Sequence, residues 1–355
     1  MAPDFRRRAL LAAAAAPWLS QTSLAQQVLV HQASGSPPPE RSSIQIAVGG
    51  KTALYYLPLT IAAQMGYFRS EGLRVELQDH PAGSQALHAM LKGGAQIAAG
   101  SYEHVIDLRR SGLNSRAFVF LGRAPQLVFG VSTRAFPQFR VLAQLEGRRI
   151  GISAPDSATH WFARHVLARG ALKASDVEFV SVGTGGAAAM ALREDRIDAI
   201  ANLDPVISLL EFRGDIRVLW DTRSLRGTQD LYGGPMAGGC LYAPQEFVAR
   251  HPRTVQALTN GVVRALKWLQ TAGPSDIVRV VPEADMQGDR GIYLSAFEKS
   301  REAMSPDGVI TAESAESTHR IVARQRLSEP AVRPALPADT FTNEFALRAK
   351  RRFQA

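Results

Sequence analysis

Ile44-Gln45-Ile46-Ala47-Val48, closed by Gly49-Gly50, alternates its side chains and then stops. Spacing of period two reads as a β-strand, and a glycine pair breaks it. Leu57, Ile61 and Met65 follow at helical spacing, with Pro58 admissible near a helix start and Gly66 ending the run. Outward from there the alternation continues. A strand is predicted at Val75 and Leu77, a helix through Ala86, Leu87, Met90 and Leu91, and short strands at 97–99 and 118–121. The pattern restarts at Ile150-Gly151-Ile152. A helix at 159–169, a strand at 177–182, a helix at 186–193 and a strand at 197–201 follow it. Strands alternating with helices predict an α/β protein with mostly parallel sheets, and the restart near 150 predicts two lobes. Beyond Pro244 helices dominate, at 255–268 and 292–301.

The chain of 355 residues is 46% hydrophobic and 21% charged, enough for two cores. Its net charge of +9 falls to +7 once the first 26 residues, with three arginines and one aspartate, are set aside. No Lys/Arg block with interleaved aromatics lies in mid-chain, which argues against nucleic acid as a partner. The single Cys240 excludes an intrachain disulfide or a Cys-based zinc cluster and reads as a small buried hydrophobe. Phe5-Arg6-Arg7-Arg8, an apolar run from Ala9 to Ala16 and Ser23-Leu24-Ala25 mark residues 1–25 as a secretory signal, and the paired arginines also suit twin-arginine export. Residues 26–43, with Ser34-Gly35-Ser36-Pro37-Pro38-Pro39, read as a flexible leader. The mature chain is thus expected in the periplasm, soluble after signal cleavage, and no other stretch approaches 18 consecutive apolar residues.

In open α/β sheets ligands sit beyond the carboxyl ends of strands, so the loops there hold the candidate binding residues. Gly49-Gly50-Lys51-Thr52, with Tyr55 behind it, offers close backbone approach and a positive charge, or a plain turn with a solvated lysine. It lacks the spacing of a phosphate loop. Ser84 is a helix cap or, with Gln85, a ligand contact. Ser101 and Tyr102 follow the third strand. The segment Ser153-Ala154-Pro155-Asp156-Ser157-Ala158-Thr159-His160 joins a strand to a helix whose N–H groups and dipole suit an anion, with the Asp156 carboxylate competing for those donors. Gly183 and Thr184 end the next strand. Asp204 either caps a helix or pairs with a ligand hydroxyl or amine. Catalytic and metal signals are missing: His160 and His165 are five apart, no H-E-x-x-H or G-x-S-x-G occurs, and His80, His88 and His104 read as solvated or core histidines. No catalytic residue, metal or cofactor is expected.

Gly66-Tyr67-Phe68-Arg69-Ser70-Glu71-Gly72-Leu73, followed by Val75-Glu76-Leu77, resembles the G-[YF]-F-x-x-E-G-L-x-V-E signature of NMT1/THI5-like periplasmic binding proteins, which include sulfonate, taurine and nitrate carriers. Leu145-Glu146-Gly147-Arg148-Arg149-Ile150-Gly151-Ile152 is similar to their L-x-G-K-x-[IV]-G-[VI], Ser157-Ala158-Thr159 to the S-A-T of their second lobe, and Arg196-Ile197-Asp198-Ala199 to their G-x-[IV]-D-A. Leu241-Tyr242-Ala243-Pro244, Glu246-Phe247 and Phe341-Thr342-Asn343-Glu344-Phe345 extend the likeness over residues 44–348. Asp156 departs from the glycine that family members carry before S-A-T. The resemblance implies a type II periplasmic-binding fold: lobe one at 44–127 plus 238–355, lobe two at 128–237, with crossings near 127–131 and 236–242. It implies a monomeric, non-enzymatic protein that captures a small organic ligand, anions among the candidates, and delivers it to the permease and ATPase of an ABC importer. Rival readings are an enzyme of thiamine-pyrimidine or menaquinone type on the same fold, and a ligand-sensing module for a receptor.

Overall fold

The computed structural model describes residues 37–326, 331 and 335–355. The export signal read at 1–25, and the leader as far as residue 36, lie outside the described residues. Ten strands are found among the described residues: β1 (Ser43–Gly49), β2 (Arg74–His80), β3 (Ile97–Ser101), β4 (Ser115–Phe120), β5 (Val128–Ser132), β6 (Arg149–Ile152), β7 (Glu178–Ser181), β8 (Ala199–Asn202), β9 (Ile216–Asp221) and β10 (Gly239–Pro244). They form two five-stranded sheets, ordered β2-β1-β3-β10-β4 and β7-β6-β8-β5-β9. In β1, Ile44, Ile46, Ala47 and Val48 are all buried, so both faces of the strand are covered, as suits the interior of a sheet with helices on either side.

The sheets are mixed, which corrects the expectation of mostly parallel pairing. β1 runs parallel to β2 and β3, and β6 parallel to β7 and β8. β10, however, lies antiparallel between β3 and β4, and β5 antiparallel between β8 and β9. Each of these two strands enters its sheet just after the chain has left the other sheet, and so runs against its neighbours. The two passages are bonded to each other: Gly238 N–H donates to the Gly122 carbonyl at 3.1 Å, and Leu121 N–H to the Gly239 carbonyl at 2.7 Å. A Cβ at Gly238 would stand 2.2 Å from the Ala124 carbonyl oxygen, so glycine is required there by close approach.

The helices that bear on the site are α1 (Leu57–Gln64), α2 (Gly83–Leu91), α3 (Tyr102–Arg110), α4 (Ala158–Arg169), α5 (Gly186–Arg193), α6 (Pro252–Thr271), α7 (Arg290–Ser300), α8 (Ala312–Gln325) and α9 (Glu344–Phe353). α6 packs on α1 and α9, and buries Val255, Leu258, Val262, Leu266 and Leu269. Residues 38–42, read from sequence as the end of a loose leader, are moored to its first turn. Thr254 N–H donates to a Glu40 carboxylate oxygen at 2.8 Å, Arg41 N–H to Thr254 Oγ1 at 3.0 Å, and Arg253 Nε to the Pro38 carbonyl at 2.9 Å. The first turn of a helix has free N–H groups, and Glu40 satisfies them.

Two of the sequence segments that resemble binding proteins, around Glu71 and around Arg149 with Asp198, act as clasps. Gly66 takes φ +70° and turns the chain out of α1. Glu71 accepts from Asn260 Nδ2 at 2.7 Å and from Arg352 at 3.0 Å, which ties the segment to α6 and α9. Arg149, at the start of β6, forks onto Asp198, before β8: its Nε is 3.1 Å from Oδ2, its Nη2 2.9 Å from Oδ1, and its backbone N–H 2.9 Å from Oδ2. Burial pushes the Asp198 carboxyl up, but the bonds from Arg149 outweigh it and hold the group below its usual range. A depressed carboxyl adds stability above the unfolded pKa of about 4 and loses it as pH falls through the lower folded value. Asp198→Ala is expected to cost about 1–3 kcal/mol at pH 7, the half-exposed arginine keeping the loss moderate, and less at pH 3. Urea unfolding at the two pH values measures both.

Candidate functional site

The carboxyl ends of β1 and β3 face those of β6, β7 and β8, and glycine sets how near the two groups of loops come. A Cβ on Gly49 would stand 2.3 Å from the Gly83 backbone nitrogen. Gly50, at φ +92°, lies against the other lobe: a Cβ there would stand 1.9 Å from Thr184 Oγ1. Ser84 Oγ donates across to the Pro155 carbonyl at 2.8 Å, and Leu54 N–H to the Asp204 carbonyl at 3.0 Å. Between the lobes is a cavity of about 20 Å³. One wall is Gly49, Tyr55, Tyr56, Gly83, Ser101 and His104; the other is Leu127, Ser153, Ser157, Ala158, Thr159, Thr184 and Leu203. That volume admits about one water molecule, so any larger guest requires the lobes to part.

Of the residues expected to bind ligand, Tyr55, Ser101, Ser157, Ala158, Thr159 and Thr184 line this cavity. Ser153, Ser157 and Thr159 form a closed set of hydroxyls. Ser153 Oγ is 2.8 Å from both partners, Ser157 Oγ donates to the Ala154 carbonyl at 2.6 Å, and Thr159 Oγ1 accepts from Ser153 N–H at 2.8 Å. Lys51 and Thr52 engage residues 285–287 instead: Lys51 Nζ stands 3.8 Å from Asp285, and Thr52 Oγ1 accepts from Gln287 at 3.1 Å. The Gly183 carbonyl accepts from Asn202 Nδ2 at 3.0 Å. Gln85 is exposed.

Four more of the expected residues lie outside the cavity lining, and Asp204 takes the capping alternative. Tyr102 is buried on the far side of its helix, its hydroxyl 2.5 Å from Thr340 Oγ1 and 3.2 Å from His319 Nε2, because the residue after the Ser101 cap turns into the core. The Asp156 side chain is solvent-facing and does not compete for helix donors; φ of +59° swings it outward, and its N–H donates to His160 Nδ1 at 3.0 Å. His160 packs on Phe179, ring centroids 4.7 Å apart, outside the cavity lining. Asp204 is buried with both oxygens in use. Oδ1 accepts from Ser208 N–H at 2.9 Å; Oδ2 accepts from Arg223 at 3.1 Å and from Ser300 Oγ at 3.3 Å.

Arg223 is itself held by Asp204, Glu211 and Asp221, at 3.1, 2.9 and 2.6 Å. The cluster fixes the loop that carries Leu203 into the cavity wall, and Lys299 and Ser300 of α7 join it.

Sequence reasoning missed Tyr56, Leu127, Leu203 and the active placement of His104. It also missed Glu103, which is buried beside the cavity and accepts from Ser101 Oγ at 3.2 Å. Burial pushes the Glu103 carboxyl up to about 7 against the pull of nearby Arg326. Arg326, buried at the end of α8, donates to Asp107 at 2.9 Å and lies 3.2 Å over the ring of Trp161 on the opposite lobe. Nothing in the pattern around residues 103 and 104 announces this; only the position just after a strand end could have pointed there.

Removing one partner of a buried ion cluster leaves the others uncompensated. Arg223→Met is expected to destabilise the fold by about 3–5 kcal/mol, and Asp221→Asn, at the more exposed carboxylate, by about 1 kcal/mol. Thermal unfolding of the two variants checks the ranking.

Comparison with known proteins agrees with this architecture. A solved structure of a protein from Bordetella bronchiseptica RB50 superposes with a TM-score of 0.87 at 45% identity, covering 90% of this chain and all of that one. The alkanesulfonate-binding protein SsuA from Xanthomonas axonopodis pv. citri, bound to MOPS, gives a TM-score of 0.66 at 19% identity over 87% of this chain and all of SsuA. The desulfurization enzyme DSZB shares the fold at a TM-score of 0.59 and 19% identity, over 88% of this chain and all of DSZB. The profile of the family described as NMT1/THI5 like matches residues 53–274, from the turn after β1 through both sheets to the end of α6. With that span covering more than half of its length and the two-lobed fold in place, the chain belongs to the NMT1/THI5-like family.

Proposed function

We propose that the protein captures a small organic ligand between its two lobes and delivers it, as an exported periplasmic monomer, to the permease and ATPase of an ABC importer. The observation that carries this reading is the cavity whose walls come from the strand-end loops of both lobes. Parting them breaks the Ser84–Pro155, Leu54–Asp204, Ser300–Asp204 and Lys299–Glu211 bonds, the Gly50–Thr184 contact and the Arg326–Trp161 stack, and leaves each sheet intact. Such a joint closes on a ligand that binds the closed form better than the open one.

An enzyme reading finds less support. The one cysteine, Cys240, is buried in the strand core with its thiol pushed well up by burial. Ser153, Ser157 and Thr159 bond one another, the imidazole bonds Tyr242, and the one hydroxyl of the lining bonded to a carboxyl is Ser101, on Glu103. Activation of a nucleophile needs a base within reach of it.

A screen of sulfonates, nitrate, pyrimidines and aromatic acids is expected to yield a ligand that raises the melting temperature and contracts the molecule in X-ray scattering. Absence of both responses across the screen sinks the carrier reading. Gly50→Ala is expected to weaken binding at least tenfold by wedging against Thr184, and Gly50→Ala combined with Thr184→Gly to recover part of the loss. No recovery would assign the effect to backbone strain at residue 50. Loss of the gene is expected to abolish cellular uptake of the same ligand, which separates carriage from sensing.

A further inference from the structure

His104 sits at the start of α3 with only 3% of its surface exposed, and it lines the cavity between the lobes. Its Nδ1 is 3.3 Å from the Tyr242 hydroxyl, whereas its Nε2 is buried without a hydrogen bond of good geometry, the Asp156 backbone of the other lobe exerting a pull on the ring. The backbone clears space for this ring: a Cβ at Gly100 would stand 3.0 Å from Nδ1, and one at Gly83 3.2 Å from Cε1. A buried polar atom left unmet is destabilising, so its place beside the cavity calls for a use.

The chemistry of the walls narrows that use. None of the thirteen lining residues is a lysine or an arginine. The cations nearby are engaged elsewhere: Lys51 faces Asp285, Arg223 is held by three carboxylates, and Arg326 bonds Asp107. Burial pushes the His104 imidazole down to about 4, against the pull of the Asp156 backbone, so the ring is neutral at neutral pH. The next side chain back, Glu103, places a buried carboxyl against Ser101. An anion would gain no full countercharge here and would lose its hydration. The rings of Tyr55 and Tyr56 meet edge to face with centroids 5.0 Å apart, and with Leu127 and Leu203 they offer a surface suited to a flat apolar ring.

Building on the carrier reading, we infer that His104 Nε2 is the specificity-determining contact of the cleft, and that the ligand is an uncharged ring compound bearing a carboxamide-like or sulfonamide-like group. Nε2 donates if Tyr242 donates to Nδ1, and accepts if Nδ1 carries the proton. A primary amide or sulfonamide has both a donor and an acceptor and satisfies either tautomer.

Calorimetric titration at pH 7.5 with two matched pairs, benzamide against benzoate and benzenesulfonamide against benzenesulfonate, tests this. The uncharged member of at least one pair is expected to bind ten times more tightly than its acid. His104→Phe is expected to lose at least tenfold for that compound, and His104→Gln, which keeps a donor and an acceptor, to retain most of the affinity. Tighter binding of either acid than of its uncharged mate overturns the inference, as does unchanged affinity in a folded His104→Phe. If His104→Phe does not fold, the wild-type pairs and His104→Gln decide. Binding of neither member of either pair also overturns it. Contraction in scattering with some other small molecule then shows that the ligand class alone was wrong, whereas no contraction with any compound fells the carrier reading too.

Discussion

Two strands that run against their neighbours hold this molecule to its shape. β5 completes the second sheet directly after the chain leaves the first, and β10 completes the first directly after it leaves the second. Because each sheet needs a strand delivered through the other's neighbourhood, both passages are forced side by side, and backbone bonds between Gly122 and Gly238 and between Leu121 and Gly239 fix their spacing. Thr222 adds a second fixture, bonding the Leu127 carbonyl through both its N–H and its hydroxyl at 2.8 Å. Leu127 is a cavity residue, so the paired passages set the floor on which the two walls meet.

Much of the scaffold was legible. The strands of period two and the helices at 57–64, 158–169 and 186–193 carry apolar side chains at regular intervals, and regular burial is what periodicity reports. α3 and α8 escaped because they bury unusual residues. α8 turns Ser314, Ala315, Ser317 and Thr318 inward, and α3 turns in Glu103 and His104, so neither shows a plain apolar stripe. The antiparallel insertion of β5 and β10 escaped because strand direction leaves no trace in a hydrophobic pattern: a strand buried on both faces reads the same either way.

The site was legible as a set of loops and illegible as a set of side chains. Small residues at strand ends do surround the cavity, and Ser157, Thr159 and Thr184 were found from that rule. Charged residues in the same loops were misleading. Asp204 is consumed by Arg223, and Asp156 is swung to solvent by its positive φ. The segments that look most distinctive in the sequence, around Glu71 and around Arg149 with Asp198, hold helices and strands together and touch no part of the cavity. Of the shared motifs, these two therefore speak for the frame, and Ser157-Ala158-Thr159 alone among them reaches the cavity.

Trp161 and Arg326 belong to opposite lobes, yet the guanidinium rests 3.2 Å above the indole. A cation held over an indole face is sensitive to any change in their separation. Of the tryptophans at 161, 220 and 268, Trp161 is the one stacked with a cation of the other lobe, so a change in the gap between the lobes would alter its share of the emission, with no dye attached.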